Sequence, residues 1–355
     1  MNKHRFTIFA VLWTLMMTQG CTPEIEDDVS QVDGIPTVKA DATYSVNIDE
    51  DISYANGLAH DLSSHAPSST PLLLDVYYPN TSLTNRPVYM FIHGGGFKGG
   101  TKTKPEIIDM ANYYASRGWV FVSIDYRTAE ELGSLNTIEG LTSEELLTFY
   151  KGIAPQEWIS STLEGAETYE QIQQGIAMYT AQRDAKAALR WIVANATSYD
   201  MDIDFITVGG ASAGAITTLA LGISDEADFK DEITISDDPT LSSTNLTQSY
   251  NVTSMVYFWG SNVKLELFES IYGEYPYDSN DPELFMAHGT HDVNPSTPYT
   301  EAVEMESIYN TLGIYNELHS LENQGHGAWH ATIDGKGSSE LTFDFIVERQ
   351  SLVVN

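Results

Sequence analysis

The chain has 355 residues, 42% of them apolar, and a net charge of −33. That length suits one large α/β domain with insertions, or two small domains, with a sizeable core. So acidic a surface excludes nucleic acid and anionic lipid as partners. The acids are spread along the chain and read as a solvated surface.

The first 20 residues read as a targeting signal. Lys3, His4 and Arg5 are basic, and Phe6 to Met17 is an apolar run of signal-peptide length. Thr18-Gln19-Gly20-Cys21 follows, and its cysteine is the single one in the chain. A small residue and then Cys after an apolar run resembles a bacterial lipoprotein lipobox, although Thr18 stands where an aliphatic residue is usual. The resemblance implies lipidation at Cys21, export, and a place in the periplasm or on the outer-membrane surface. An ordinary secretory signal with an incidental cysteine is the competing reading. Loss of residues 1–20 removes Lys3 and Arg5 and takes the charge from −33 to −35. Beyond it, no segment is long and apolar enough to span a bilayer, so contact with a membrane is expected only through the lipid.

Residues 21–45 read as a tether. Glu24, Glu26, Asp27 and Asp28 precede Gly34 and Pro36, and like charges with few apolar residues favour disorder. The main domain is placed at 46–355. From Leu72 the pattern becomes α/β. Strands are expected at Leu72 to Tyr78, Val88 to Ile92, Val120 to Ile124 and Phe205 to Val208. More follow at Ser254 to Trp259, Leu284 to Ala287 and Glu317 to Leu321. Helices are expected at Pro105 to Arg117, Ala181 to Ala196, Ala213 to Leu221, Thr300 to Leu312 and Leu341 to Gln350. Such alternation implies a mostly parallel sheet covered on both faces. Residues 128–174 break the rhythm and are too long for an ordinary connection. They suit a helical cap over the strand ends, or a surface excursion with no role in a site.

Gly210-Ala211-Ser212-Ala213-Gly214 lies directly between a strand and a helix. A serine on so tight a turn has its hydroxyl pushed out at the carboxyl ends of the strands. His93-Gly94-Gly95-Gly96-Phe97 ends an earlier strand, and its glycines let the backbone approach a carbonyl closely. Gly95 and Gly96, with Ala213, are the expected N–H donors to an oxyanion. His93 is expected to brace the loop. Asp292 follows a strand in His288-Gly289-Thr290-His291-Asp292, where a residue that orients an imidazole must sit. His326 lies between two glycines and is the expected general base, with His330 its rival; Asp334 is a rival acid in the wrong order.

The order Ser212, Asp292, His326 is that of the α/β hydrolases. Over about Leu72 to Gln350 the chain resembles that superfamily, in its carboxylesterase and hormone-sensitive-lipase-like region. The glycine loop, Asp125-Tyr126-Arg127, the serine motif and the final Gly-His-Gly carry the likeness. Ala211 and Gly214-Ala215 depart from the hormone-sensitive-lipase pattern, and the insertion replaces the usual continuation after Arg127. The resemblance implies a serine ester hydrolase that needs no cofactor and carries no substrate over; the export signal, with family analogy, suggests short-chain or carbohydrate-linked esters. A lipase with 128–174 as lid, a peptidase or thioesterase with the same triad, and a non-catalytic binding module are the alternatives. Phe97 and Trp329 are candidate pocket residues, and Trp158 and Trp259 could join them, although aromatics are more often core. No metal site is expected: Asp200, Asp202 and Asp204 lack the rest of a calcium loop, and the histidines lack zinc spacing. Oligomeric state has no signal in the sequence.

Overall fold

Apolar runs of five to seven residues, bounded by turns, build the centre of the molecule. The computed structural model describes residues 34–61, 63–64 and 66–355, all within one unit spanning 32–355. The expected signal peptide and Cys21 lie outside the described residues.

In chain order the elements begin with Thr37–Val38 (β1), Val46–His60 (β2), Pro67–Pro79 (β3), Arg86–Ile92 (β4), Pro105–Ala115 (α1) and Val120–Ile124 (β5). Four helices come next: Leu135–Ile138 (α2), Ser143–Phe149 (α3), Gln156–Gly165 (α4) and Tyr169–Asn195 (α5). Then follow Met201–Ala211 (β6), Ala213–Ile223 (α6), Ser254–Phe258 (β7), Val263–Tyr272 (α7) and Glu283–Gly289 (β8). Tyr299–Leu312 (α8), Asn316–Leu321 (β9), Ser338–Arg349 (α9) and Val353–Val354 (β10) complete the chain.

The main sheet has the order β2-β3-β5-β4-β6-β7-β8-β9. β2, β3 and β5 pair antiparallel in succession, and every pair from β5 through β4 to β9 is parallel. Parallel strands are covered on both faces, which is why β4, β5 and β7 are buried along their whole length. This is the α/β-hydrolase fold that the motif order implied. Pairing of Ile92 with Gly210 and Ala211 with Phe258 brings the carboxyl ends of β4, β6 and β7 to one edge.

Two expectations need correction. The tether is expected to run to residue 45, but β1 pairs parallel with β10, and the N–H groups of Thr43 and Tyr44 donate to the Ser116 carbonyl. Those backbone bonds, and the burial of Val38, anchor a segment that composition alone marks as polar. The helix expected from Ala181 starts at Tyr169. Gly175 and its glutamine neighbours hide its first turns, yet Gly175 is where α4 comes close. A Cβ there would lie 2.5 Å from Thr162 Cγ2, and the Trp158 indole donates to the Gly175 carbonyl at 2.8 Å.

Candidate active site

Ser212 sits between β6 and α6 with φ +55° and ψ −119°, a conformation that non-glycine residues rarely adopt. Its neighbours permit the tight turn. A Cβ on Gly214 would lie 2.0 Å from the Ile92 carbonyl, and one on Gly210 2.4 Å from Gly214. The backbone N–H of Ser212 donates to Phe258 at 2.9 Å, which ties the turn to β7.

Ser212, His326 and Asp292 converge from three separate strand ends. Ser212 Oγ lies 2.9 Å from His326 Nε2, and His326 Nδ1 lies 2.8 Å from Asp292 Oδ2. The Asp292 side chain is fully buried while His326 is about a third exposed. His330 and Asp334 take no part in these hydrogen bonds.

The glycine loop lies beside the serine. Gly95 and Gly96 have φ of +138° and +62°, and Phe97 +59°. Their carbonyls are occupied: Lys98 N–H donates to Gly95, and Gln174 Nε2 to Gly96 at 2.8 Å. Ala213 opens α6, so its N–H has no acceptor within the helix. Behind the loop, His93 stacks on Tyr126 with ring centroids 4.3 Å apart, and the Tyr126 hydroxyl donates to the His93 carbonyl at 3.0 Å. Asp125 accepts the Lys102 N–H at 2.7 Å and stands 3.5 Å from His93 Nε2. The Asp-Tyr-Arg segment after β5 therefore holds the loop from below.

Ser212 opens into a cavity of about 740 Å³. Phe97 lines it, as expected, and so do Gln174, Met178, Ser261, Glu266 and Glu301. Ser161, Thr162, Gly165 and Ala166 also line it, so the 128–174 insertion builds a wall of this cavity. The Trp329 assignment needs correction. Gly327 has φ +78°, and the chain turns back through a Trp329 N–H to Gly327 bond of 2.8 Å. The indole then packs against Phe91, Phe258 and Trp259, outside the cavity lining. Trp158 and Trp259 are core residues.

Two contributors escaped the sequence reading. His288 is one of the histidines without zinc spacing, yet its Nε2 lies 3.0 Å from Asp292 Oδ2. Thr297 places its hydroxyl 3.2 Å from His326 Nδ1. The spacing of His288 and Asp292 in one short segment was the available signal. Among the described residues, no group of three His, Cys, Asp or Glu side chains is arranged to hold a metal, and no helix is long and apolar enough to cross a membrane.

Fold and strand-end geometry together are those of the α/β-hydrolase fold. Within it, the family model described as BD-FAE matches residues 74–139 and 169–266. The two segments flank residues 140–168, most of the helical insertion. Among curated proteins, the chain is 28% identical to a phenmedipham hydrolase of Pseudarthrobacter oxydans over 151 residues, which are 42% of this chain and 22% of that one. It is 26% identical to a para-nitrobenzyl esterase of Bacillus subtilis over 150 residues, 42% of this chain and 24% of that protein. The matched segment thus spans about a quarter of those curated relatives. A truncated carbohydrate esterase from gut microbiota superposes with TM-score 0.53 at 17% identity, covering 88% of this chain and 99% of that one. An esterase of the Planctomycetes species Thermogutta terrifontis superposes with TM-score 0.52 at 18% identity, covering 83% and 92%. At such identities the superpositions speak for the fold alone.

Proposed function

We propose that the protein is a serine carboxylic-ester hydrolase. The observation that carries this reading is the relay from Ser212 through His326 to Asp292 at the mouth of a large cavity. His326 Nε2 takes the hydroxyl proton as Ser212 Oγ attacks the ester carbonyl. Asp292 holds the imidazole tautomer with Nε2 free to accept, and balances the imidazolium that forms. The N–H groups of Gly95, Gly96 and Ala213 stabilise the oxyanion, each worth about 3 kcal/mol. Collapse expels the alcohol, which receives its proton from His326. Water, activated by the same imidazole, then releases the acid and restores Ser212.

Short-chain or carbohydrate-linked esters suit the many small and polar side chains of the cavity wall. We take the N-terminal segment for an export signal with lipidation at Cys21, on the residue pattern alone.

The test is p-nitrophenyl acetate hydrolysis by Ser212→Ala. A loss of at least about a thousandfold is expected, since removal of such a nucleophile leaves only binding and the oxyanion donors. Unchanged turnover by a folded variant overturns the proposal. Acetylated and feruloylated saccharides, beside a chain-length series, then assign the ester class.

A further inference from the structure

The cavity has one strongly asymmetric wall. Glu266 on α7 and Glu301 at the start of α8 both line it. Neither carboxylate has a cationic partner among the described residues. The lining cation on another side, Lys98, is already paired with Glu170 at 3.1 Å. Ser261, 1% exposed, lines the same cavity, and its hydroxyl has no hydrogen-bond partner. The backbone N–H of its neighbour Asn262 favours the charged form of Glu301.

We infer that Glu266, Glu301 and Ser261 form a subsite for a protonated amine carried by the ester substrate. This rests on the ester-hydrolase reading and extends it to the charge of the substrate. A buried hydroxyl without a partner loses the hydrogen bond that water would have given it. Two partly desolvated carboxylates beside it lack a counter-charge. An ammonium group supplies both deficits: up to three donors and one positive charge in a compact head. A neutral hydroxyl supplies donors without the charge, and an anionic group meets repulsion. Partial burial first, and then repulsion by Glu304 and Glu269 at Glu266 and by Glu266 and Glu304 at Glu301, push both carboxyls above their usual range. A bound cation relieves that repulsion.

Two isosteric pairs test the inference, one for each side of the ester bond. Ethyl ε-aminocaproate is compared with ethyl heptanoate, and aminohexyl acetate with heptyl acetate. In at least one pair kcat/KM for the cationic ester is expected to exceed that of the neutral one by about tenfold, the equivalent of ~1.4 kcal/mol. Glu266→Gln combined with Glu301→Gln is expected to bring that ratio close to unity. Because the ratio compares two substrates on one preparation, the fraction of folded variant cancels. Near-equal values in both pairs, or a ratio that survives both substitutions, overturn the inference. Calorimetric binding of the same four esters to Ser212→Ala separates the two readings. Preference for the ammonium there without turnover in the parent protein counts against the hydrolase reading alone. Equal binding beside Ser212-dependent turnover counts against the subsite alone.

Discussion

His288 Nε2 lies 3.0 Å from Asp292 Oδ2, the same oxygen that stands 2.8 Å from His326 Nδ1. The Thr297 carbonyl, 3.1 Å from His288 Nε2, can only accept, so that nitrogen carries a proton. His288 Nδ1 is buried without a partner, and burial lowers the imidazole pKa against the pull of Asp292. The neutral ring is therefore a second donor to the carboxylate, whose other oxygen takes the Asn294 N–H at 3.0 Å. Three donors, two from the β8 end and its turn and one from the loop after β9, fix Asp292 in direction as well as charge.

Loss of a hydrogen bond to a buried carboxylate costs about 1.5–3 kcal/mol. His288→Leu is accordingly expected to lower kcat/KM by about ten- to a hundredfold, if most of that cost falls on the oriented imidazole. His288→Gln keeps a donor and is expected to recover part of the loss. A variant that only loses thermal stability, with kcat/KM unmoved, would show a packing role instead.

Gly214 is a second point of leverage. A Cβ at this position would stand 2.0 Å from the Ile92 carbonyl and 2.7 Å from the His93 carbonyl, both rigid backbone. Gly214→Ala must therefore push α6 away from the end of β4. That movement separates Ser212 and the Ala213 N–H from Gly95 and Gly96. Overpacking of this kind costs about 1–3 kcal/mol, and misplacement by ~1 Å costs on the order of a hundredfold in rate. Gly99→Ala is the comparison, since nothing lies within 4 Å of its added carbon. Thermal midpoints and kcat/KM of the two variants should differ in both measures.

Arg127 and Asp184 form a buried fork, 3% and 2% exposed, with Nη2 to Oδ1 at 2.6 Å and Nε to Oδ2 at 2.9 Å. The Arg127 backbone N–H also donates to Asp184, and Nη1 donates to the Leu58 carbonyl at 2.8 Å. This pair ties the segment after β5 to α5 and to β2. Asp184→Leu strands a guanidinium in the interior and should cost about 3–5 kcal/mol in urea unfolding. Arg127→Met added to Asp184→Leu removes both charges and should restore most of that loss. A double variant no more stable than the single one would mean that the fork sets the fold locally.

The motifs legible in the sequence share one property: each places a reactive residue, its strand and its glycines within a few positions. Ser212, Asp292, His326 and the glycine loop were readable for that reason. Side-chain direction was not. Trp329 lies three residues from His326, yet beyond the turn at Gly327 its half-buried indole packs against the aromatic cluster of Phe91, Phe258 and Trp259. The contact of His288 depends on a carbonyl nine residues later. β2 was not read as a strand because register shifts between Asp49 and Ile52, and between Ser53 and Ala55, break its period of two. The pairing of β1 with β10 joins the two ends of the described chain through two residues each, too few to leave a pattern.

Asp281 offers a test of electrostatics away from the cavity. Burial, aided by Asp278 and Asp225, pushes its carboxyl up to about 7, against the backbone N–H of Asp278 that favours the charged form. The folded value exceeds the unfolded one of about 4. The unfolded chain therefore releases its proton first as pH rises. Any stability tied to the protonated form is complete below about pH 4 and is lost as pH passes through the folded value. Asp281→Asn mimics the neutral form at every pH. It should match the parent protein near pH 4 and be more stable at pH 8 by about 1–2 kcal/mol, once solvent screening is allowed for. Unfolding free energies at the two pH values decide it: an equal difference at both would mean that the gain is not one of ionisation.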